Sequence, residues 1–446
     1  MTKYIIITFY TFLFAVEVSA QDTLSLAKCR QRALEHSQTV KSAQVNLQST
    51  ELKQKLSSRA SLPNLDFSAG YHYMDDPKLM SIPGHPLPTV DGEISNIYSP
   101  PYTKNLTYHN TYNATVGASL PLYLGGKLNY ARQIAESARD IAESNLELNK
   151  TGILLQVEQQ YWTLVSLFEQ KKIAENSVQL LKEVVNDLNN LFNNEIVTKN
   201  EVLKVQVELN NAKLFLITIS DNIEILKMAI NQSIGNEIET PLYIADSVIE
   251  ISGLENGITF KSQNIENRHE IKILSQQEEI NKTSQKIVRA EYLPQLVSYA
   301  NYTLQSTNYL GEDEDELTWN AGLSLSIPIF HWGERKLKEH QAMLQTEQTR
   351  YTLDRTKELL TLEVRKAIFN LEEAYTKLDF TKEALLQSEE NLSFERNKLK
   401  QEVTTATDLL KAQVQWQKSY ADFIAAKANV KIQNALYKKA IGELNY

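Results

Sequence analysis

A single cysteine, Cys29, can build neither a disulfide framework nor a paired-thiolate metal site. Within LSLAKCRQRALEH it reads as a buried helix residue. The histidines are scattered at 36, 72, 85, 109, 269, 331 and 340, without His-Glu-x-x-His or any clustered ligand spacing. Phosphate loops and a nucleophile elbow are also missing. Nothing here points to catalysis, and neither a cofactor nor a metal is expected. A basic excess is lacking too: the net charge is −9, which argues against nucleic acid as a partner. After residue 20 no run of 18 apolar residues occurs, which excludes an ordinary transmembrane helix but leaves a β-barrel open.

The chain begins MTKYIIITFYTFLFAVEVSAQ. One lysine, an apolar run and the small residues Val18-Ser19-Ala20 give the three-part layout of a secretory signal peptide, assigned to residues 1–20. An exported protein is expected. Its charge stays the same on cleavage, because Lys3 and Glu17 cancel. Cys29 lies eight residues past Gln21, a position that argues against a lipid-anchored N-terminus.

Proline is missing from Leu122 to Thr240 and from Ile329 to the C-terminus, so each interval can hold unbroken helix. Val157, Leu164, Lys171, Val178, Val185 and Phe192 recur every seven residues in the first, and Val364, Leu371, Leu378, Leu385, Leu392 and Leu399 in the second. Only Lys171 breaks the coiled-coil pattern. Tyr161, Phe168, Leu181 and Leu188 widen the apolar face toward two neighbours. A helix from Gly126 to Asn193 would be roughly 100 Å long at 1.5 Å per residue. Heptads alone also suit a dimeric rod or a spectrin-like bundle.

The chain repeats itself. SLPLYLGGK (119–127) returns 207 residues later as SIPIFHWGE (326–334), and EIVTKNEVLKVQV (195–207) lies over EVTTATDLLKAQV (402–414) at the same offset. Upstream, RASLPNL (59–65) resembles RAEYLPQL (289–296), with Pro63 over Pro294 at an offset of 231. The first copy therefore carries 24 additional residues before Pro121. They fall in residues 75–110, which hold six of the eleven prolines and show no period. That segment reads as a long exposed loop. Its counterpart, LGEDEDE (310–316), reads as a short solvated loop tip.

Between the paired prolines the period is two. Leu65, Phe67, Ala69, Tyr71 and Tyr73 alternate with polar or small residues, as do Tyr112, Ala114, Val116, Ala118 and Leu120. Trp319, Ala321, Leu323, Leu325 and Ile327 do the same, and Leu296 to Leu304 more weakly. Four strands of about ten residues suit a tilted bilayer crossing. Four cannot close a barrel, and an open edge in lipid leaves backbone groups unsatisfied, so several copies would share one. Tyr71, Tyr73, Tyr112, Tyr302 and Trp319 lie toward the loop side, where an aromatic girdle belongs. The competing reading is a soluble sandwich. His72 falls on the polar strand face, as a solvated residue near a loop or in a pore lining. His331 and Trp332 lie in the variable part of the repeated proline motif, suited to a membrane boundary.

Signal peptide, duplication, proline-delimited strand pairs and TTATDLLKAQV opening a return helix together resemble the TolC-like outer-membrane efflux family over essentially the whole mature chain. The resemblance implies a mostly α protein with a membrane β-barrel: a homotrimer sharing twelve strands, four per protomer, above a coiled-coil α-barrel in the periplasm. It implies a passive exit duct in outer-membrane lipid, coupled through a periplasmic adaptor to an inner-membrane transporter for efflux or type I secretion. The first repeat would be 21–235, with strands 64–74 and 111–121, a long helix 126–193 and a return helix 199–235. A linker 236–258 would follow. The second repeat would be 259–446, with strands 295–305 and 317–328, a long helix 333–399 and a return helix 405–442. Pro63, Pro121, Pro294 and Pro328 would be helix-to-strand junctions, and Gly125, Gly126 and Gly333 would start the long helices.

The turns 193–200 and 400–407 would face the adaptor and gate the duct, with Glu195, Thr198, Glu402, Thr405 and Asp408 as tip residues. Where the family usually has glycine at the first tip position, this chain has Glu195 and Glu402. A glutamate there must take a costly left-handed conformation or mark a differently shaped turn. In a trimer these carboxylates would form an acidic, cation-favouring constriction, or else be solvated groups facing the adaptor. The alternative function is a secreted or periplasmic coiled-coil scaffold with a small β cap.

Overall fold

The computed structural model describes residues 24–76, 79–88, 94–105, 110–246, 249–251, 265–309, 312–401 and 405–444. Residues 1–20, expected to be a signal peptide, Glu402 and part of the expected linker 236–258 lie outside them. The described chain divides into two compact units, one within Met1–Val45, Ser144–Lys272 and Asp354–Tyr446, the other formed by Asn46–Glu143 and Ile273–Leu353.

Helix dominates the first unit. It takes α1 (Leu26–His36), the greater part of α3 (Lys127–Asn193) and of α6 (Glu334–Lys400), and all of α4 (Lys199–Ile234) and α7 (Ala406–Ala440). Ser25 caps α1, its hydroxyl accepting from the Lys28 amide at 3.3 Å. The heptad positions Val157, Leu164, Val178 and Val185 are buried, together with Tyr161, Leu181 and Leu188. Each such aliphatic side chain contributes roughly 1.5–3 kcal/mol on burial. Lys171, at the interrupted position, reaches Glu175 one turn on at 3.9 Å. Cys29 and Ala33 of α1 pack with Tyr161, Ile223, Ile230 and Ile249 in one core. Leu24 is pinned there by backbone bonds to Tyr243 and Ala245. Burial pushes the Cys29 thiol up to about 12, so it is inert.

In the second unit a four-stranded antiparallel sheet runs in the order β1-β6-β7-β8, with β1 at Asn64–Tyr73, β6 at Asn110–Leu124, β7 at Gln295–Tyr309 and β8 at Glu312–Ser326. Its register places like with like. Phe67 pairs with Val116, Val116 with Tyr302, and Tyr302 with Trp319. Directly paired residues share a face, so the apolar stripes of all four strands merge into one exposed surface bearing Leu65, Phe67, Trp319, Leu323 and Leu325. The opposite face carries amides and hydroxyls. Thr115 and Thr303 bond at 3.0 Å, and Asn301 donates to Asn320 at 3.2 Å. The helices α2 (Gln38–Arg59) and α5 (His269–Ala290) lead into β1 and β7. Among the described residues no helix is long and apolar enough to cross a membrane.

Three readings need correction. Residues 75–110 are not featureless: β2 (Leu79–Ile82) pairs with β5 (Tyr102–Asn105), and β3 (Pro86–Pro88) with β4 (Ile94–Tyr98). Two-stranded pieces tolerate proline, whose missing N–H can face outward or sit at a bulge. The acidic run is likewise part of β8, where Glu312 to Glu316 pair with Tyr309 to Gln305. The ladder bonds are made by backbone, and past the last apolar pair, Leu304 with Leu317, acids can project from both faces. Finally, Pro121 is not a junction but lies inside β6, paired with Val297 beside a bulge. The β1 ladder ends at Ser119, so Pro121 sits where β6 is paired on one side only and its lacking N–H needs no acceptor. Pro328 lies outside regular secondary structure, two residues past β8, whereas Pro63 and Pro294 directly precede β1 and β7.

Candidate functional site

The turn from α3 to α4 is built as a Schellman cap. The Ile196 amide donates to the Leu191 carbonyl at 2.9 Å and the Glu195 amide to Phe192 at 2.9 Å. The same pair of bonds closes α4, from Asn236 to Asn231 and Gly235 to Gln232, and α7, from Glu443 to Lys438 and Gly442 to Lys439. Those two caps put glycine in the left-handed position, with φ of 79° and 77°; α3 puts Glu195 there, with φ of 63°. Of the two alternatives for this glutamate, the left-handed conformation is the one adopted. An L-residue with a side chain is disfavoured there by roughly 1–2 kcal/mol. The Glu195 carboxylate is exposed.

Each return helix begins with threonine followed three residues later by an acid, the capping-box spacing. Thr405 caps α7: its hydroxyl accepts from the Asp408 amide at 3.3 Å and donates to the Asp408 carboxylate at 2.8 Å. Thr198 occupies the corresponding N-cap of α4 without a side-chain bond. Its acid, Glu201, is used elsewhere, accepting from Lys204 at 2.9 Å and from the hydroxyl of Thr407 on α7 at 2.8 Å. Lys204 and then Thr407 hold the Glu201 carboxyl below its ordinary 4.5. The Thr405 hydroxyl does the same for Asp408. Behind this contact Leu410 of α7 packs with Val205 and Leu209 of α4. Beside it opens a groove of about 650 Å³ bordered by Lys204, Val207, Lys411 and Val414.

The structure thus joins Asp408 to Thr405, leaves Glu195 solvated, and links the start of α4 to the start of α7. Glu201 and Thr407 were not singled out from sequence. The signal was present in the paired Thr-x-x-acid spacing, Thr198 to Glu201 and Thr405 to Asp408.

At the far ends of the long helices, Gly126 and Gly333 have φ of 87° and 80° and directly precede α3 and α6. His72 lies on the polar strand face opposite Thr111. His331 meets Tyr292 edge to face at 5.6 Å. Among the described residues no group of three or more histidine, cysteine or acidic side chains is placed to hold a metal ion.

A family model described as outer membrane efflux protein matches residues 29–236 and 261–443. No curated protein sequence is similar enough to count as a match. Among solved structures, the CmeC outer membrane channel of Campylobacter jejuni superposes with a TM-score of 0.78 at 18% identity, covering 94% of this chain and 86% of that one. VceC of Vibrio cholerae gives 0.74 at 15% identity, with 94% and 96% covered. The open state of the MtrE outer membrane channel of Neisseria gonorrhoeae gives 0.74 at 18%, with 94% and 89% covered. At these identities the likeness is one of fold.

Proposed function

Because the chain belongs to the outer membrane efflux protein family, we propose that three copies assemble into one outer-membrane exit duct, each giving β1, β6, β7 and β8 to a shared twelve-stranded barrel. The protein is a passive conduit and performs no chemistry; an inner-membrane pump supplies the energy. One observation carries the assembly: a sheet with a continuous apolar face whose outer edges, on β1 and β8, have no ladder partner among the described residues. Edge groups in lipid must be paired, and only ring closure by further copies pairs them all.

In this reading each half of the chain is one copy of a duplicated unit, the long helices extend the duct into the periplasm, and 236–258 links the halves on its outside. The turns 193–200 and 400–407 face a periplasmic adaptor, whose helices suit the groove between α4 and α7. Glu195 and Glu402 ring the narrow end, Thr198 and Thr405 stand at the N-termini of the return helices with Asp408 bonded to Thr405, and the Glu201–Thr407 bond holds the two helix starts of one copy together. Pro63, Pro294, Gly126 and Gly333 set the angles between strands and helices.

Docking is tested by charge reversals within 193–200 and 400–407. They should abolish adaptor crosslinking and efflux while leaving the protein in the outer membrane. Intact crosslinking would remove the tips from the docking site.

A further inference from the structure

The two strand-to-helix turns share a backbone but not a side chain. Gly125 and Gly126 have φ of 65° and 87°; Trp332 and Gly333, 207 residues on, have φ of 48° and 80°. Tryptophan therefore occupies a left-handed position that its counterpart gives to glycine.

The reason for glycine at the first turn is close packing. A Cβ on Gly125 would lie 2.8 Å from the Ala290 carbonyl and 3.0 Å from Leu293 Cβ, so the α5–β7 corner closes directly on the turn. The second turn is not closed on by backbone in this way; it touches that corner through His331 on Tyr292. A Cβ on Gly333 would have no neighbour within 4 Å, Trp332 is 90% exposed, and Ile329 and Phe330 beside it are 92% and 68% exposed.

The ladder shows what is missing. Leu120 to Leu124 of β6 are paired only with β7, Leu124 with Gln295. The equivalent residues, Ile327 to His331, have no ladder partner and are not strand. In the duplicated register the counterpart of Gln295 is Asn64, at the start of the unpaired edge of β1, and the counterpart of the α5–β7 corner is the α2–β1 corner. At that corner Arg132 holds Ser61 at 2.6 Å, while Leu62 is 56% exposed. The corner is also one residue shorter: Arg59-Ala60-Ser61-Leu62-Pro63 against Arg289-Ala290-Glu291-Tyr292-Leu293-Pro294. A residue is lost on one side of the joint and an indole gained on the other.

Resting on the trimer reading, we infer that Trp332 is an intersubunit key: it inserts against Ala60, Ser61 and Leu62 of the adjacent copy, while residues 327–331 extend β8 along that copy's β1. Joints within a copy close glycine against backbone, and joints between copies close tryptophan against a shortened corner. The six joints of the ring therefore alternate in construction, and Trp332 faces a second copy rather than lipid.

A photo-crosslinking benzoylphenylalanine at position 332 keeps an aromatic there and tests this on the full-length protein in its membrane. Irradiation should give crosslinked dimers and trimers whose mapped partners are residues 60–62, whereas the same group at Tyr123 should give no crosslink to that corner. A light-scattering trimer whose position 332 crosslinks only to lipid or to its own chain overturns the key and leaves the trimer standing. Absence of a trimer overturns both. As a second readout, Trp332→Gly should lower the temperature at which the detergent-solubilised trimer dissociates, and Trp332→Phe should retain most of it. An unchanged dissociation temperature for Trp332→Gly contradicts the proposal.

Discussion

The hydroxyl of Thr407 donates to the carboxylate of Glu201 at 2.8 Å across 206 residues of sequence, joining the first turn of α4 to the first turn of α7. Removing either partner should let the two helix starts separate. Spin labels at Lys199 and Lys411 are expected to show a broadened, longer distance distribution in Thr407→Val and Glu201→Ala. A distribution identical to that of the parent protein would mean that packing at Leu410 alone holds the helices.

The same contact has a pH dependence. Glu201 titrates below its ordinary 4.5 because Lys204 and Thr407 bind the ionised form. A lowered carboxyl pKa stabilises above the unfolded value and is lost as pH falls through the folded one. The label distance should therefore be constant from pH 7 to about 5 and change only below 4.5. A transition near pH 6 would point to a histidine instead.

Glu195 fills a position that the caps of α4 and α7 give to glycine. Glu195→Gly should stabilise the end of α3 by about 1 kcal/mol. Exchange of the Glu195 and Ile196 amides, both hydrogen-bonded in the cap, should slow roughly five-fold. Faster exchange would show that glycine's extra freedom in the open state outweighs the relief of strain.

If the tip glutamates set ion preference, Glu195→Gln together with Glu402→Gln should shift the reversal potential in planar bilayers toward lower cation preference. Unchanged reversal potentials would assign both to the solvated surface.

Arg268 is a buried anchor. Its guanidinium reaches the Ala440 carbonyl at 2.5 Å, Glu270 at 2.6 Å and Glu363 at 3.2 Å, and its side chain is 6% exposed. Arg268→Ala removes the partner of Glu270 and of the end of α7 while Glu363 keeps Lys439 at 3.4 Å; because both carboxylates stay part-exposed, it should cost about 1–3 kcal/mol. The urea midpoint of the helical signal should fall accordingly, and Arg268→Lys should recover part of it. A midpoint within error of the parent would mean that water replaces the network without loss.

What could be read without coordinates was periodic. Heptads marked the long helices, and alternation marked the strands that share the apolar face. Backbone hydrogen bonding was harder to read, because it is blind to side-chain character. The acids from Glu312 to Glu316 suggested a loop but sit in a ladder, and Pro121 suggested a strand end but lies within β6. The Glu201–Thr407 bond joins residues whose separation carries no local signal, although each lies in a recognisable cap. Glu195 could be anticipated in part: its departure from glycine posed two alternatives, and the cap's geometry selects one.

Ring closure of the four-stranded sheet by three copies is measured most directly by the mass of the detergent-solubilised outer-membrane species, determined by light scattering with bound detergent subtracted. The shared barrel predicts a trimer in the outer-membrane fraction. A water-soluble monomer or dimer in the periplasm would contradict it, leaving the apolar sheet face without lipid and the edges β1 and β8 without the partners the account requires.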